Sequence, residues 1–184
     1  MLIVHYAVTP MNLINHLKTV LTHKKEVYKL CVKCGIPWQG ITHDLSKFSP
    51  SEFLPGARFW NGHESPQVSE RKRYGYSAAW LHHKGRNKHH FEYWNDYVSG
   101  KGAVPLEMPP RYFAEMICDR VAACKTYLGK DYTDSSALDY YLKAKSHYDM
   151  NEKTAHDLET VLRYLSEHGE DETMAYIKKE YLKK

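Results

Sequence analysis

No stretch of this 184-residue chain approaches the roughly 18 consecutive apolar residues of a membrane span. The opening, Met1 to Pro10, is mildly apolar but short for a signal peptide and lacks a basic start, so a cytoplasmic protein is the expectation. Cysteine is scarce: Cys31, Cys34, Cys118 and Cys124. Cys31 and Cys34 form a C-x-x-C, which suits a redox pair or half of a zinc site. No second C-x-x-C completes a zinc ribbon, and Cys118 and Cys124 sit in an apolar pattern, so all four read as reduced helix residues. A redox role is further disfavoured because the motif lies mid-helix with no strand before it. An excess of one charge is missing too. The formal net charge of +4 suits an anionic substrate but not the concentrated basic face of a dedicated nucleic-acid binder. Strict apolar–polar alternation is absent, which leaves no convincing strand.

What is present is the composition of a soluble globular protein, 42% hydrophobic and 26% charged, long enough for one domain with a real core. The expected fold class is all-α, a single-domain helical bundle over 1–184, and nothing in the sequence specifies an oligomeric state. From Met11 to Cys34, Leu13, Leu17, Val20, Leu21, Val27, Leu30 and Cys31 recur at helical spacing, ended by Gly35. Gln39 to Lys47 reads as a short buried helix and Ser49-Pro50-Ser51-Glu52 as the start of another. Pro55-Gly56 and Asn61 to Pro66 read as loops, Arg71 to Lys84 as helix, and Tyr97 to Pro110 as a Gly- and Pro-rich loop. Pro109-Pro110 opens a helix closed by Gly129. Asp134 and Asn151 are placed to N-cap two more, the second stopped by Gly169 with Asp171 starting a last one.

Histidine is the unusual residue. There are 12, four of them between His82 and His90. His16 and His23 are seven apart, on nearly one helical face, and so are the pairs His82/His89 and His83/His90 if the turn between them allows. Four His interleaved with Lys84, Arg86 and Lys88 would repel one another if protonated, and binding a metal as neutral imidazoles relieves that cost. His43-Asp44 with Lys47 three residues on pairs a nitrogen and a hard oxygen ligand with a cation for phosphate. Asp119 lies in an apolar helix, where a carboxylate needs a partner; a metal or Arg120 can serve, and Glu115 can orient a ligand from behind. His63, His147, His156 and His168 fall at polar positions and read as surface residues.

The candidate ligands therefore run His23, His43-Asp44, His83 with His89 or His90, and Asp119, drawn from four helical segments as a metal site in a bundle core requires. This H…HD…H…H…D order resembles the HD-domain superfamily of metal-dependent phosphohydrolases. His23-x-x-x-Val27, His43-Asp44-Leu45-Ser46-Lys47 and Asp119-Arg120-Val121-Ala122-Ala123 carry the likeness, HDLSK most strongly. The insert HHKGRNKHHFEYW is also similar to that of a group of small, uncharacterised bacterial and phage proteins near that superfamily. The resemblance implies an HD-type metal-binding core over 12–130, with 131–184 as a helical extension packed on it. It implies one divalent ion held by His23, His43, Asp44 and Asp119, and a second, bridged by Asp44, held by His83 and His90 or His89. Mn, Fe, Zn, Co and Mg are all compatible. It further implies hydrolysis of a small phosphorylated substrate, nucleotides included, by a metal-activated water. Lys47, Arg86 and Arg120 would meet phosphate oxygens, and Asn87 would bond the substrate or fix a ligand. No GYP triplet follows the cluster, which counts against a cyclic-dinucleotide phosphodiesterase. Two rivals stand beside this reading. The same ligand order suits a di-iron HD-type oxygenase, and a non-catalytic, metal-stabilised helical protein could take an anionic partner through Lys84, Arg86 and Lys88.

Overall fold

Thr9 opens α1 (Pro10–Cys34), its Oγ1 accepting from the Asn12 N–H at 3.1 Å, with Pro10 in the first turn where a missing N–H is harmless. In the computed structural model, which describes residues 8–183, Gly35 ends this helix at φ 81°. The expectation for the opening ten residues lies outside that range up to Ala7. The buried face of α1 carries His16, Val20, His23, Val27, Leu30, Cys31 and Cys34. Along it packs α6 (Pro110–Leu128), burying Phe113, Ala114, Met116, Ile117, Cys118, Val121 and Ala122. The core is completed by α7 (Ser136–Ala144) and α8 (Glu152–Ile177), through Leu138, Tyr141, Leu158, Leu162, Leu165, Met174 and Ile177. Each such side chain contributes roughly 1.5–3 kcal/mol by leaving water, so this layer carries most of the stability.

The remaining helices are α2 (Pro37–Thr42), α3 (Pro50–Phe59), α4 (Pro66–Tyr74) and α5 (Ala78–Lys84). His16, near the start of α1, packs on Phe53 and Gly56 of α3, whereas Cys34 at its other end touches Met174 of α8. His23 lies between these two anchorages. All four cysteines are free, and three are fully buried. Among the described residues no helix is long and apolar enough to cross a membrane.

Several boundaries differ from the sequence expectation. The helix read over Gln39–Lys47 stops at Thr42, and His43 and Asp44 form a turn before a 3-10 segment, Leu45–Phe48. The stretch read as loop after Tyr97 contains an antiparallel hairpin, β1 (Asn95–Val98) with β2 (Gly102–Pro105), Asn95 facing Pro105 and Val98 facing Gly102. Its strands have four residues each and bury no alternating face, so no period-2 pattern marks them. Gly75 at φ 80° splits the helix read over Arg71–Lys84 into α4 and α5. Pro55-Gly56 lies inside α3, not in a loop, and a Cβ at Gly56 would overlap the His16 ring. Ser135 rather than Asp134 precedes α7, with no side-chain cap; Asn151 caps α8 through the Lys153 and Thr154 N–H groups. As expected from the sequence, Gly169 interrupts α8 at φ 79°, ψ 176°, and helix resumes beyond it to Ile177.

Candidate metal centre

The His43-Asp44 turn is built by α1 and α2 together. Gly40 lets α2 lie directly on α1: a Cβ there would stand 2.9 Å from the Tyr28 Cα and 3.0 Å from the Cys31 Cβ. Lys24 of α1 then donates from Nζ to the Ile41 and His43 carbonyls, both at 2.7 Å, satisfying acceptors that the end of α2 leaves open. Asp44 follows at φ 53°, the one described non-glycine residue in the left-handed region. Asp tolerates that conformation better than most residues.

Around Asp44 the donors converge. Its Oδ2 lies 3.2 Å from His43 Nε2 and 3.9 Å from His23 Nε2, while Asp119 Oδ1 is 3.0 Å from His23 Nε2 and 3.5 Å from His43 Nε2. Its Oδ1 faces the other way, 3.3 Å from His83 Nε2 and 3.4 Å from His89 Nε2. Two groups of four result, His23, His43, Asp44 and Asp119, and Asp44, His83, His89 and His90, each with one ligand atom per residue within 4.8 Å of the others. Atoms that each lie about 2.0–2.2 Å from a shared ion stand apart by such distances.

Whether the donors fit a cation shows in what they lack. His23 Nε2, His43 Nε2, both Asp44 oxygens, His89 Nε2 and His90 Nε2 are buried and make no hydrogen bond of acceptable geometry among the described residues. Buried polar atoms left so are costly, on the order of 1–3 kcal/mol each. Donors grouped and left open in this way could hold a cation. The opposite edges of the rings are satisfied. Glu115 Oε1 accepts from His43 Nδ1 at 2.9 Å and lies 3.1 Å from His89 Nδ1, and Glu52 Oε2 accepts from His83 Nδ1 at 2.7 Å. A ring whose Nδ1–H is held by a carboxylate presents a free Nε2 lone pair to the site. Asn87 Nδ2 donates to Ser46 Oγ and to the His83 carbonyl, both at 2.8 Å, and so steadies the segment carrying His83 and Ser46.

Electrostatics agree with these roles for the two carboxylates, His23 and His90, and not for His43. Burial opposes charge on Asp44 and Asp119, yet the charges of His43 and Lys47 beside the first, and hydrogen-bond-range contacts from His23 and His43 to the second, hold both carboxyls well below the usual range. Burial, reinforced by Lys47, keeps His23 below its ordinary value; burial and the neighbouring imidazoles keep His90 well below. For His43 the nearby Asp44, Asp119 and Glu115 outweigh burial and raise the ring well above its usual value. That reflects how much negative charge the pocket gathers. Lys47 Nζ is 2.6 Å from Asp44 Oδ2 and lines, with His16, Glu52 and Glu70, a cavity of about 20 Å³, room for one water.

Of the residues singled out from sequence, the structure brings His23, His43, Asp44, His83, His89, His90 and Asp119 together, with Lys47 beside them and Glu115 behind. Both His89 and His90 join, where the sequence left a choice. His82 does not; its Nδ1 is 2.6 Å from Glu52 Oε1, outside both groups. His16 is buried against α3. Arg86 is exposed, Lys88 lies over the Tyr93 and Tyr112 rings, and Arg120 follows Asp119 with its guanidinium over Tyr148. His63, His147, His156 and His168 are exposed. Sequence reasoning missed Glu52 and Lys24. Glu52 looked like a helix-start acid, and no spacing rule links it to a His 31 residues on; Lys24 carried only the signal of standing beside His23. Neither curated proteins nor solved structures yield a match to this chain. A model described as a family of unknown function, DUF5662, matches residues 12–164, a span holding every donor above, and the chain belongs to that family.

Proposed function

We propose that this protein is a metal-dependent phosphohydrolase built on an HD-type helical core, acting on a small phosphorylated substrate. The observation that carries the reading is the division of Asp44: one oxygen faces His23 and His43, the other His83 and His89, so one carboxylate serves two four-donor groups. This is the ligand order whose resemblance to HD-domain phosphohydrolases rests on His23, His43-Asp44, Lys47 and Asp119. Divalent ions bound there supply Lewis acidity toward a phosphoryl oxygen and a water of lowered pKa. Mixed imidazole and carboxylate donors suit Mn, Fe, Zn or Co better than Mg, which prefers oxygen.

The chain's own residues do the rest. Glu115 and Glu52 fix three imidazoles with Nε2 inward, so the donors need no reorganisation. Lys47, partly exposed and beside Asp44, would meet a phosphate oxygen, whereas the Arg120 guanidinium lies over Tyr148. That ammonium favours an anionic substrate over dioxygen and is why a hydrolase is preferred to an oxygenase. Tag-free protein and Asp44→Ala should be compared by elemental analysis after loading with Mn or Fe, then screened against phosphoesters. One to two equivalents in the wild type, lost with turnover in the variant, is the expected result. Metal bound without any phosphoester cleavage, or oxygen uptake instead, would overturn it.

A further inference from the structure

The outer face of α1 is not the polar surface that an amphipathic helix usually turns to water. Ile14, Leu21 and Tyr28 stand at seven-residue intervals, two turns apart along one line, and all three are exposed. On that side α2 lies against α1: Lys24 donates to the Ile41 carbonyl at 2.7 Å, and the Tyr28 Cα closes the space at Gly40. The exposed Trp38 and Ile41 of α2 widen the apolar row, and the five side chains remain between 43% and 70% exposed. Lys18 and Lys25 run alongside, each one turn beyond a member of the row, Ile14 and Leu21. Lys29 pairs with Glu26, and Lys33 with Glu170 and Asp171. Lys18 and Lys25 have no carboxylate partner among the described residues.

Single exposed apolar side chains are ordinary, but a continuous row of them beside unpaired cations marks a contact surface. The charge selects what covers it. Pairing α1 with a second copy in antiparallel fashion about Leu21 and Thr22 sets Lys18 against Lys25, and parallel pairing sets each lysine against itself, so like charges meet either way. A nucleic-acid backbone would meet the lysines and leave the apolar row in water. An anionic bilayer takes both. The apolar side chains enter the boundary between headgroups and acyl chains, and the Trp38 and Tyr28 rings suit that level. The lysine stems lie along the row with their ammoniums at lipid phosphates. We infer that the outer face of α1, with Trp38 and Ile41 of α2, docks the protein on an anionic phospholipid membrane without crossing it. Leu21 and His23 are two residues apart and so point to nearly opposite sides of α1, one exposed and one buried. Docking therefore needs nothing from the metal reading.

Full-length protein should be sedimented with vesicles of phosphatidylcholine alone, and of phosphatidylcholine with about one third phosphatidylglycerol. The anionic vesicles should carry it down, the neutral ones should not, and added salt should release it. Each lysine at an anionic surface contributes roughly fivefold in affinity, so Lys18→Gln combined with Lys25→Gln should weaken binding about thirtyfold. Trp38→Ala should weaken it several-fold. All three side chains are exposed, so folding is spared, and an unchanged melting temperature checks this. Failure to bind the anionic vesicles, equal binding to both kinds, or binding that the variants leave intact would overturn the docking surface. Sedimentation velocity without lipid supplies the remaining arm. A dimer that Leu21→Asp disperses would give this face to a second copy and overturn the inference, whereas a monomer leaves it to the bilayer.

Discussion

Glu52 stands between two imidazoles, 2.6 Å from His82 Nδ1 and 2.7 Å from His83 Nδ1, yet only the second ring belongs to a donor group. This gives a contrast within one carboxylate. Glu52→Gln keeps the shape but cannot accept from both rings, so His83 loses its fixed orientation. Metal affinity at the group containing His83, His89 and His90 should fall about tenfold to a hundredfold, read by competition with a chelator. His82→Ala removes the other partner and should leave metal content as it was; an equal loss in both variants would mean Glu52 acts through general packing. His16 supplies a pH signature of a different origin. Burial, and secondarily the Lys47 charge, lowers its pKa from 6.5 to about 4. The unfolded chain therefore binds the proton more readily, and stability rises with pH across that window. It is complete above about pH 6.5 and lost as pH falls toward and below 4, an effect of about 3 kcal/mol in all. Urea midpoints measured from pH 7 to pH 4 should fall more steeply for the wild type than for His16→Gln; parallel slopes would show that other groups govern the acid limb.

At the scale of elements, what matters is how α2 is pressed onto α1. The space at Gly40 is closed by backbone, the Tyr28 Cα at 2.9 Å, which cannot turn aside as a side-chain tip can. Gly40→Ala should push α2 outward, costing on the order of 1–3 kcal/mol in denaturant unfolding. It should also weaken metal binding, because the His43-Asp44 turn hangs from the end of α2. Gln39→Ala, one residue earlier and half-buried, should do neither. The same segment shows what was legible in the sequence. Periodic apolar residues placed α1 and α6 well, and with them His23 and Asp119 on helices of the core, because that signal is local. The turn at Asp44 was read as helix, since left-handed backbone at a non-glycine residue leaves no mark in composition. The hairpin escaped because four-residue strands without a buried face have no period. Glu52 and Lys24 escaped because their partners are 31 and 19 residues away and are assigned only by packing.

Across the whole molecule the donors come from α1, the turn after α2, α5, the turn after α5, and α6, with Glu52 of α3 behind them. An ion held by that set would cross-link one end of the molecule. The cluster of Leu158, Val161, Leu162 and Leu165 on α8 is fully buried among apolar neighbours and contributes no donor. Removing metal should therefore act unevenly. Ligand binding adds RT ln(1 + [L]/Kd), about 2.7 kcal/mol at a hundredfold excess over Kd, so chelation should lower the melting temperature by several degrees. Locally, uncompensated Asp44 and Asp119 beside five imidazoles should loosen the donor-bearing segments that have little apolar burial of their own, residues 37–49 and 78–94. Hydrogen exchange on metal-loaded and chelator-treated protein should show protection lost over those two segments and kept over 158–165. If exchange rises uniformly, the donors are knit into the same cooperative unit as the α8 core. If it rises nowhere, the cluster is satisfied without a cation and the metal reading fails with it.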